Sequence, residues 1–111
     1  MLKYLYKHGA ATAIHTTTKD GRTPLYAASS SGHLQVVKYL YKHGAAADIH
    51  TTTKDRCTPF FVGSGKGHLD VVDFLYEHGA DSDIHYTTND GRSPLYAASS
   101  SGHLQVVKYL Y

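Results

Sequence analysis

The apolar positions of this chain come in short bursts at helical spacing. Leu34, Val37, Leu40 and Tyr41 recur at i, i+3, i+6 and i+7, which predicts a helix from Leu34 to about Lys42 with one buried stripe. Thr23-Pro24 marks an earlier helix start: threonine is a good N-cap, and proline suits the first helical position, where no amide bond is needed. That first helix should run from Pro24 to about Ser31, with Leu25, Ala28 and Ser29 on one side. The small residues there permit close packing, and Gly32 ends the helix. Gly44 is placed to end the second helix in a left-handed turn. Ile49-His50-Thr51-Thr52-Thr53 then favours an extended finger, because three β-branched threonines in a row resist helix. Asp20-Gly21 is a turn signal, and Asp55 begins the next one.

The pattern repeats. His-Gly-Ala occurs at His8, His43 and His78, and the three prolines stand at 24, 59 and 94, in both cases 35 residues apart. Asp20 to Tyr41 returns as Asp90 to Tyr111, apart from Thr23 against Ser93. Residues 1–10 match 36–45 except for Met1-Leu2 in place of Val36-Val37. Residues 1–111 therefore read as one array. It comprises the end of one unit (1–19), a first full unit (20–54), a middle unit (55–89) and a truncated last unit (90–111). A helix of about eight residues is not stable alone in water, so each pair must bury its faces against neighbouring units, as in a solenoid.

Gly21-Arg22-Thr23-Pro24-Leu25-Tyr26-Ala27-Ala28, then Gly32-His33-Leu34-Gln35-Val36-Val37-Lys38, then His43-Gly44-Ala45, resembles the ankyrin repeat. The resemblance implies an all-α helix-turn-helix solenoid with short β-hairpin fingers and a concave face. Three departures stand out. The period is 35 where the family norm is 33, with the extra residues between Gly44-Ala45 and Ile49. Tyr26, Phe61 and Tyr96 stand where the family usually has histidine, so aromatic packing between units is expected there. The middle unit is irregular: Arg56 replaces the turn glycine, and Gly63-Ser64-Gly65-Lys66 replaces Ala28-Ser29-Ser30-Ser31. A glycine within a helix costs about 1 kcal/mol relative to alanine, so the middle unit should be the softest.

Composition narrows the function classes. The net charge of +2, from 11 Lys and Arg against 9 Asp and Glu, is too balanced for binding nucleic acid through its phosphates. Lys3 and Lys7 break the first apolar run, so it is not a signal peptide, and no apolar stretch approaches a membrane span. Cys57 is alone and cannot build a disulfide framework. A cytoplasmic or nuclear setting is expected, without contact with membrane or nucleic acid.

The nine histidines fall in three columns: His8, His43, His78; His15, His50, His85; and His33, His68, His103. Zinc needs ligands about 2 Å from the ion, whereas equivalent positions in stacked helices lie about 8–10 Å apart. The columns therefore read as structural. His8, His43 and His78 sit at helix C-termini, where positive charge is favoured. The resemblance implies that His33, His68 and His103 bond to backbone. It also marks the His15, His50, His85 column as one that an asparaginyl hydroxylase modifies in the family. If the turn histidines are buried and neutral, stability should fall toward pH 5.

Gly63-Ser64-Gly65-Lys66-Gly67 is not a phosphate loop, since Gly67 stands where Ser or Thr is required. Cys57 has no distinctive partner for nucleophilic catalysis, although Arg56 is adjacent. Asp70, Asp73 and Glu77 form an exposed acidic helix face, with Asp73 expected to attract Lys38 and Lys108 of the flanking units. No catalytic residue, cofactor or metal is expected.

The resemblance implies a non-catalytic scaffold that holds a partner protein on its finger tips and inner-helix ends. Carried over by position, the contact residues are Thr17, Lys19, Asp20, Arg22, Ser30 and Ser31 on the first finger and the inner helix after it. On the middle finger and its inner helix they are Thr52, Lys54, Asp55, Arg56, Cys57, Gly65 and Lys66. On the last finger and its inner helix they are Thr87, Asn89, Asp90, Arg92, Ser100 and Ser101. Arg56, Cys57 and Lys66 differ from the outer units and are the expected source of specificity. The alternative is a spacer segment of a longer array. Exposed Leu2, Tyr4, Leu5, Val107, Leu110 and Tyr111 would then favour self-association through uncapped ends.

Overall fold

A computed structural model describes residues 11–111; expectations that fall on residues 1–10 lie outside the described residues. Inner helices α1 (Pro24–Ser31), α3 (Pro59–Gly65) and α5 (Pro94–Ser100) alternate with outer helices α2 (Leu34–Lys42), α4 (Leu69–Glu77) and α6 (Leu104–Leu110). Short 3₁₀ turns lie at Ala11–His15, Ala45–Asp48 and Ala80–Asp83. The inner helices pack side by side, α3 between α1 and α5, and each inner helix packs on the outer helix that follows it. The stack measures 41 × 25 × 21 Å.

The helix starts form as their sequence requires. Thr23, Thr58 and Ser93 have extended backbones, and their hydroxyls accept the amides of Tyr26, Phe61 and Tyr96 at 3.0–3.1 Å. Each is followed by proline at the first helical position. The core runs continuously through the stack. Leu25, Val37 and Leu40 of the first unit join Phe60, Val71, Val72 and Leu75 of the middle one, then Ala98 and Val106 of the last. The fully buried Phe60 alone contributes about 2–3 kcal/mol of hydrophobic stabilisation.

Gly32 and Gly67 serve twice. Both have positive φ, +75° and +80°, a region open chiefly to glycine. A Cβ on Gly32 would also lie 2.5 Å from the imidazole of His68, and one on Gly67 equally close to that of His103. Each turn glycine is thus the seat of the next unit's histidine. From that seat, His68 Nε2 donates to the Ser30 carbonyl at 3.1 Å, so His68 bonds to backbone across units as expected of its column. His33 is exposed, while His68 and His103 are half-buried, so the premise of buried turn histidines does not hold. His43 and His78 cap the C-termini of α2 and α4, and His78 Nδ1 donates to the Phe74 carbonyl at 2.7 Å.

Several expectations need correction. Among the described residues the fingers contain no strand. Each finger is a tight turn closed by local bonds, because it is too short to build a ladder. Gly44 does take positive φ (+127°) directly after the C-cap His43, as expected, and Gly79 (+123°) does so after His78; both lead into 3₁₀ turns. The inserted residues form those turns. Inter-unit aromatic contacts fall on the outer helices, at Tyr41–Phe74 (5.6 Å between centroids) and Tyr76–Tyr109 (5.7 Å). No ring contact links Tyr26, Phe61 and Tyr96 among the described residues; Tyr26 and Tyr96 lie under arginines instead. Asp73 accepts the Tyr109 hydroxyl at 2.8 Å, and among the described residues no lysine comes within ion-pair distance of it. Burial, followed by that carboxylate, raises the Tyr109 phenol well above its ordinary value. Gly65 of α3 has a packing reason: a Cβ there would lie 3.3 Å from that of Ala97. Val107 and Leu110 are half-buried and Tyr111 is exposed.

Candidate functional site

The fingers follow one plan. Thr18, Thr53 and Thr88 each donate their amide to the carbonyl four residues on (Arg22, Cys57, Arg92), at 3.0–3.1 Å. Their hydroxyls accept the amides of those same residues at 3.2–3.3 Å. The tip of the turn has positive φ, held by Gly21 (+83°) and Gly91 (+79°) in the outer units. Successive fingers are tied together: Lys54 N–H donates to the Asp20 carbonyl at 2.9 Å, and Asn89 N–H to that of Asp55 at 3.0 Å. The Asn89 side chain adds a bond to the Lys54 carbonyl at 3.1 Å. Polar side chains therefore project from a backbone held in place by its own amides.

A second tie runs through the inserted turns. His15 Nδ1 lies 2.7 Å from Asp48 Oδ2, and His50 Nδ1 lies 2.7 Å from Asp83 Oδ2. The aspartates are buried and the histidines exposed. The residues that lengthen the repeat thus carry a carboxylate to the imidazole of the preceding unit.

The middle finger departs from the plan. Arg56 occupies the turn tip at φ +66°, the one non-glycine residue with positive φ among the described residues. The left-handed region costs an L-residue about 1–2 kcal/mol. The Arg56 side chain reaches the next finger, where Nε donates to the Tyr86 hydroxyl at 3.0 Å and the guanidinium lies 4.9 Å from the ring centroid. Tyr86 is itself irregular, standing where the other units have Thr16 and Thr51. Two departures 30 residues apart in sequence therefore meet in space. A third, Cys57, is half-buried beside Tyr26. Burial first, then the Cys57 side chain, raises the Tyr26 phenol above its ordinary value.

Phe61 carries no hydroxyl where the outer units have tyrosine, and a cavity of about 240 Å³ opens beside it between the middle and last fingers. Its walls are Asp55, Cys57, Thr88, Asn89, Asp90 and Arg92. Five of the anticipated contact residues thus share one cavity: Asp55, Cys57, Asn89, Asp90 and Arg92. Thr17, Lys19, Asp20 and Arg22 lie exposed on the first finger, and Lys54, Arg56 and Thr87 on the other two. Thr52 and Ser30 are half-buried, and the Ser30 carbonyl is engaged by His68. Ser31, Lys66, Ser100 and Ser101 are exposed at inner-helix ends, where Gly65 is half-buried. Sequence reasoning missed Tyr86, Phe61 and Thr88. The signal for Tyr86 was its break from the threonine column.

Among the described residues, no three His, Cys, Asp or Glu side chains gather to hold a metal, and no helix is long and apolar enough to cross a membrane. A search of curated proteins finds no match. Two family models do match, one for ankyrin repeats (3 copies) over residues 1–53 and one for ankyrin repeats (many copies) over residues 60–110. Together they cover nearly the whole chain, and its helical pairs stack as the resemblance implied: the chain belongs to the ankyrin repeat family.

Proposed function

We propose that this chain is a non-catalytic scaffold that holds a partner protein on its fingers and inner-helix ends. Ankyrin repeats are generally protein–protein interaction modules. The observation that carries the reading here is the finger row. Its backbone is tied from finger to finger, while Lys19, Lys54, Asp55, Asp90 and Arg92 stand exposed with no ion-pair partner among the described residues. A surface ordered before binding loses little further entropy on complex formation. The irregular middle finger supplies what the near-duplicate outer units lack, a distinctive contact. A peptide-display selection against the folded chain tests this. Enriched ligands should lose binding to Lys54→Glu and Lys66→Glu, and keep it with Lys38→Glu and Lys108→Glu on the outer helices. Ligands lost only with the outer-helix changes would move the site to the other face.

A further inference from the structure

Three arginines punctuate the finger row. Arg22 lies over the Tyr26 ring at 5.7 Å, Arg56 over Tyr86 at 4.9 Å and Arg92 over Tyr96 at 5.6 Å. The aromatic faces hold each guanidinium without neutralising it. The ion pairs within 4.0 Å among the described residues are His15–Asp48 and His50–Asp83, so no carboxylate engages any of the three. With Lys19, Lys54 and Lys66, they set six cations against Asp20, Asp55 and Asp90 on this face.

Arg56 is the most constrained of the three. Its Nε is committed to the Tyr86 hydroxyl, which fixes the plane of the guanidinium and leaves the two terminal nitrogens as a fork. Such a fork matches a carboxylate in a bidentate pair. The residue is kept at a positive φ that glycine fills without strain in both outer units. Backbone strain of this kind persists where it serves a function.

We infer that this arginine row receives an acidic segment of the partner protein, with Arg56 taking one of its carboxylates through both terminal nitrogens. The inference rests on the finger face being the binding face. Arg22 and Arg92 hold equivalent positions two units apart, and Arg56 stands between them, one position out of their register. Adjacent packed helices lie about 8–10 Å apart, and a polyproline II segment presents every third side chain on one face about every 9 Å, so acidic residues at every third position meet the row at the spacing of the units. The interleaved aspartates Asp20, Asp55 and Asp90 fit a ligand whose negative charges are spaced, and oppose a continuous phosphate backbone.

The test uses a fluorescein-labelled peptide of three Glu-Ser-Thr triplets, read by anisotropy at low salt. Comparison probes are the same peptide with Lys for Glu and a short DNA duplex. The Glu peptide should bind best and weaken as salt is added. Arg56→Gln should weaken it about tenfold, and Tyr86→Phe about threefold by freeing the fork. Arg56→Gly should lose binding as fully while its melting temperature is unchanged or raised, which separates lost recognition from lost folding. Lys38→Glu and Lys108→Glu should leave binding intact. Preference for the Lys peptide, equal binding of DNA, or an Arg56→Gln variant that binds like the parent would overturn the inference. If the Glu peptide fails while peptide display returns neutral ligands lost with Lys54→Glu, the acidic-partner inference falls and the scaffold reading stands. If display ligands ignore the fingers altogether, both fall.

Discussion

The imidazole of His50 and the carboxylate of Asp83 meet at 2.7 Å although they belong to different units. Asp83 is buried, so its oxygen depends on this donor for solvation that water would otherwise supply. His15 and Asp48 repeat the contact at the same distance. A double-mutant cycle of His50→Ala and Asp83→Ala, followed by urea unfolding, should give a coupling energy of about 1 kcal/mol. Additive effects would reduce the contact to coincidence.

Gly32 and Gly102 separate two costs that usually travel together. Both need positive φ, but a Cβ on Gly32 meets the His68 ring, while one on Gly102 meets nothing within 4 Å. Gly102→Ala should therefore cost about 1 kcal/mol, for backbone strain alone. Gly32→Ala should cost at least about 1 kcal/mol more, because His68 must leave its seat. Much of that excess should vanish in a His68→Ala background. Equal costs in the parent chain would mean that His68 is readily displaced.

How much of this was legible beforehand depends on the kind of signal. Thr23-Pro24, Gly32 and the Leu34–Val37–Leu40 stripe located both helices of a unit, because caps and periodicity are local. The partners of His15 and His50 were not legible. Asp48 and Asp83 lie 33 residues further on, inside the insertion, and only the stacking of units brings them into reach. Tyr26 and Tyr96 were expected to pack on neighbouring rings, but the competing attraction of Arg22 and Arg92 within the same units prevails. At the candidate site, Arg56 was conspicuous as a broken turn glycine, whereas its pairing with Tyr86 depended on the register between fingers.

Arg56 tests the strain at the middle finger. Arg56→Gly gives the turn the residue it has in both outer units. It should raise stability by about 0.5 kcal/mol, the relief of left-handed strain less the lost contact with Tyr86. Thermal or urea unfolding measures it. A clear loss of stability would show that the Tyr86 contact outweighs the strain.

The hydroxyls of Ser29 and Ser64 are fully buried within the inner-helix packing and have no hydrogen-bond partner among the described residues. Replacing either with alanine removes an unsatisfied polar group and almost no volume. Each variant should match the parent or gain up to about 1 kcal/mol. A loss above 1 kcal/mol in urea titration would reveal an acceptor for that hydroxyl.

Alkaline pH should loosen the stack. Burial raises the phenols of Tyr26 and Tyr109 in the folded chain. Above pH 10 the unfolded chain releases protons that the folded chain retains, so stability falls as pH rises. Tyr26→Phe removes one such group and should flatten the decline between pH 9.5 and 11. A variant that declines as steeply as the parent would show that this phenol plays no part.

The inter-unit ties have a further consequence. Two ties recur along the array, each joining a donor to an acceptor one repeat away: His to Asp, and finger amide to the carbonyl of the preceding finger. The histidines fit the seats at Gly32 and Gly67 with the same regularity. A gene that duplicates or deletes a whole block of 35 residues keeps every such match, wherever the crossover falls, because each new junction reproduces an old one. The array can thus change length in single genetic events without inventing a contact, while the one unit that departs from the pattern keeps its identity as copies are gained or lost on either side.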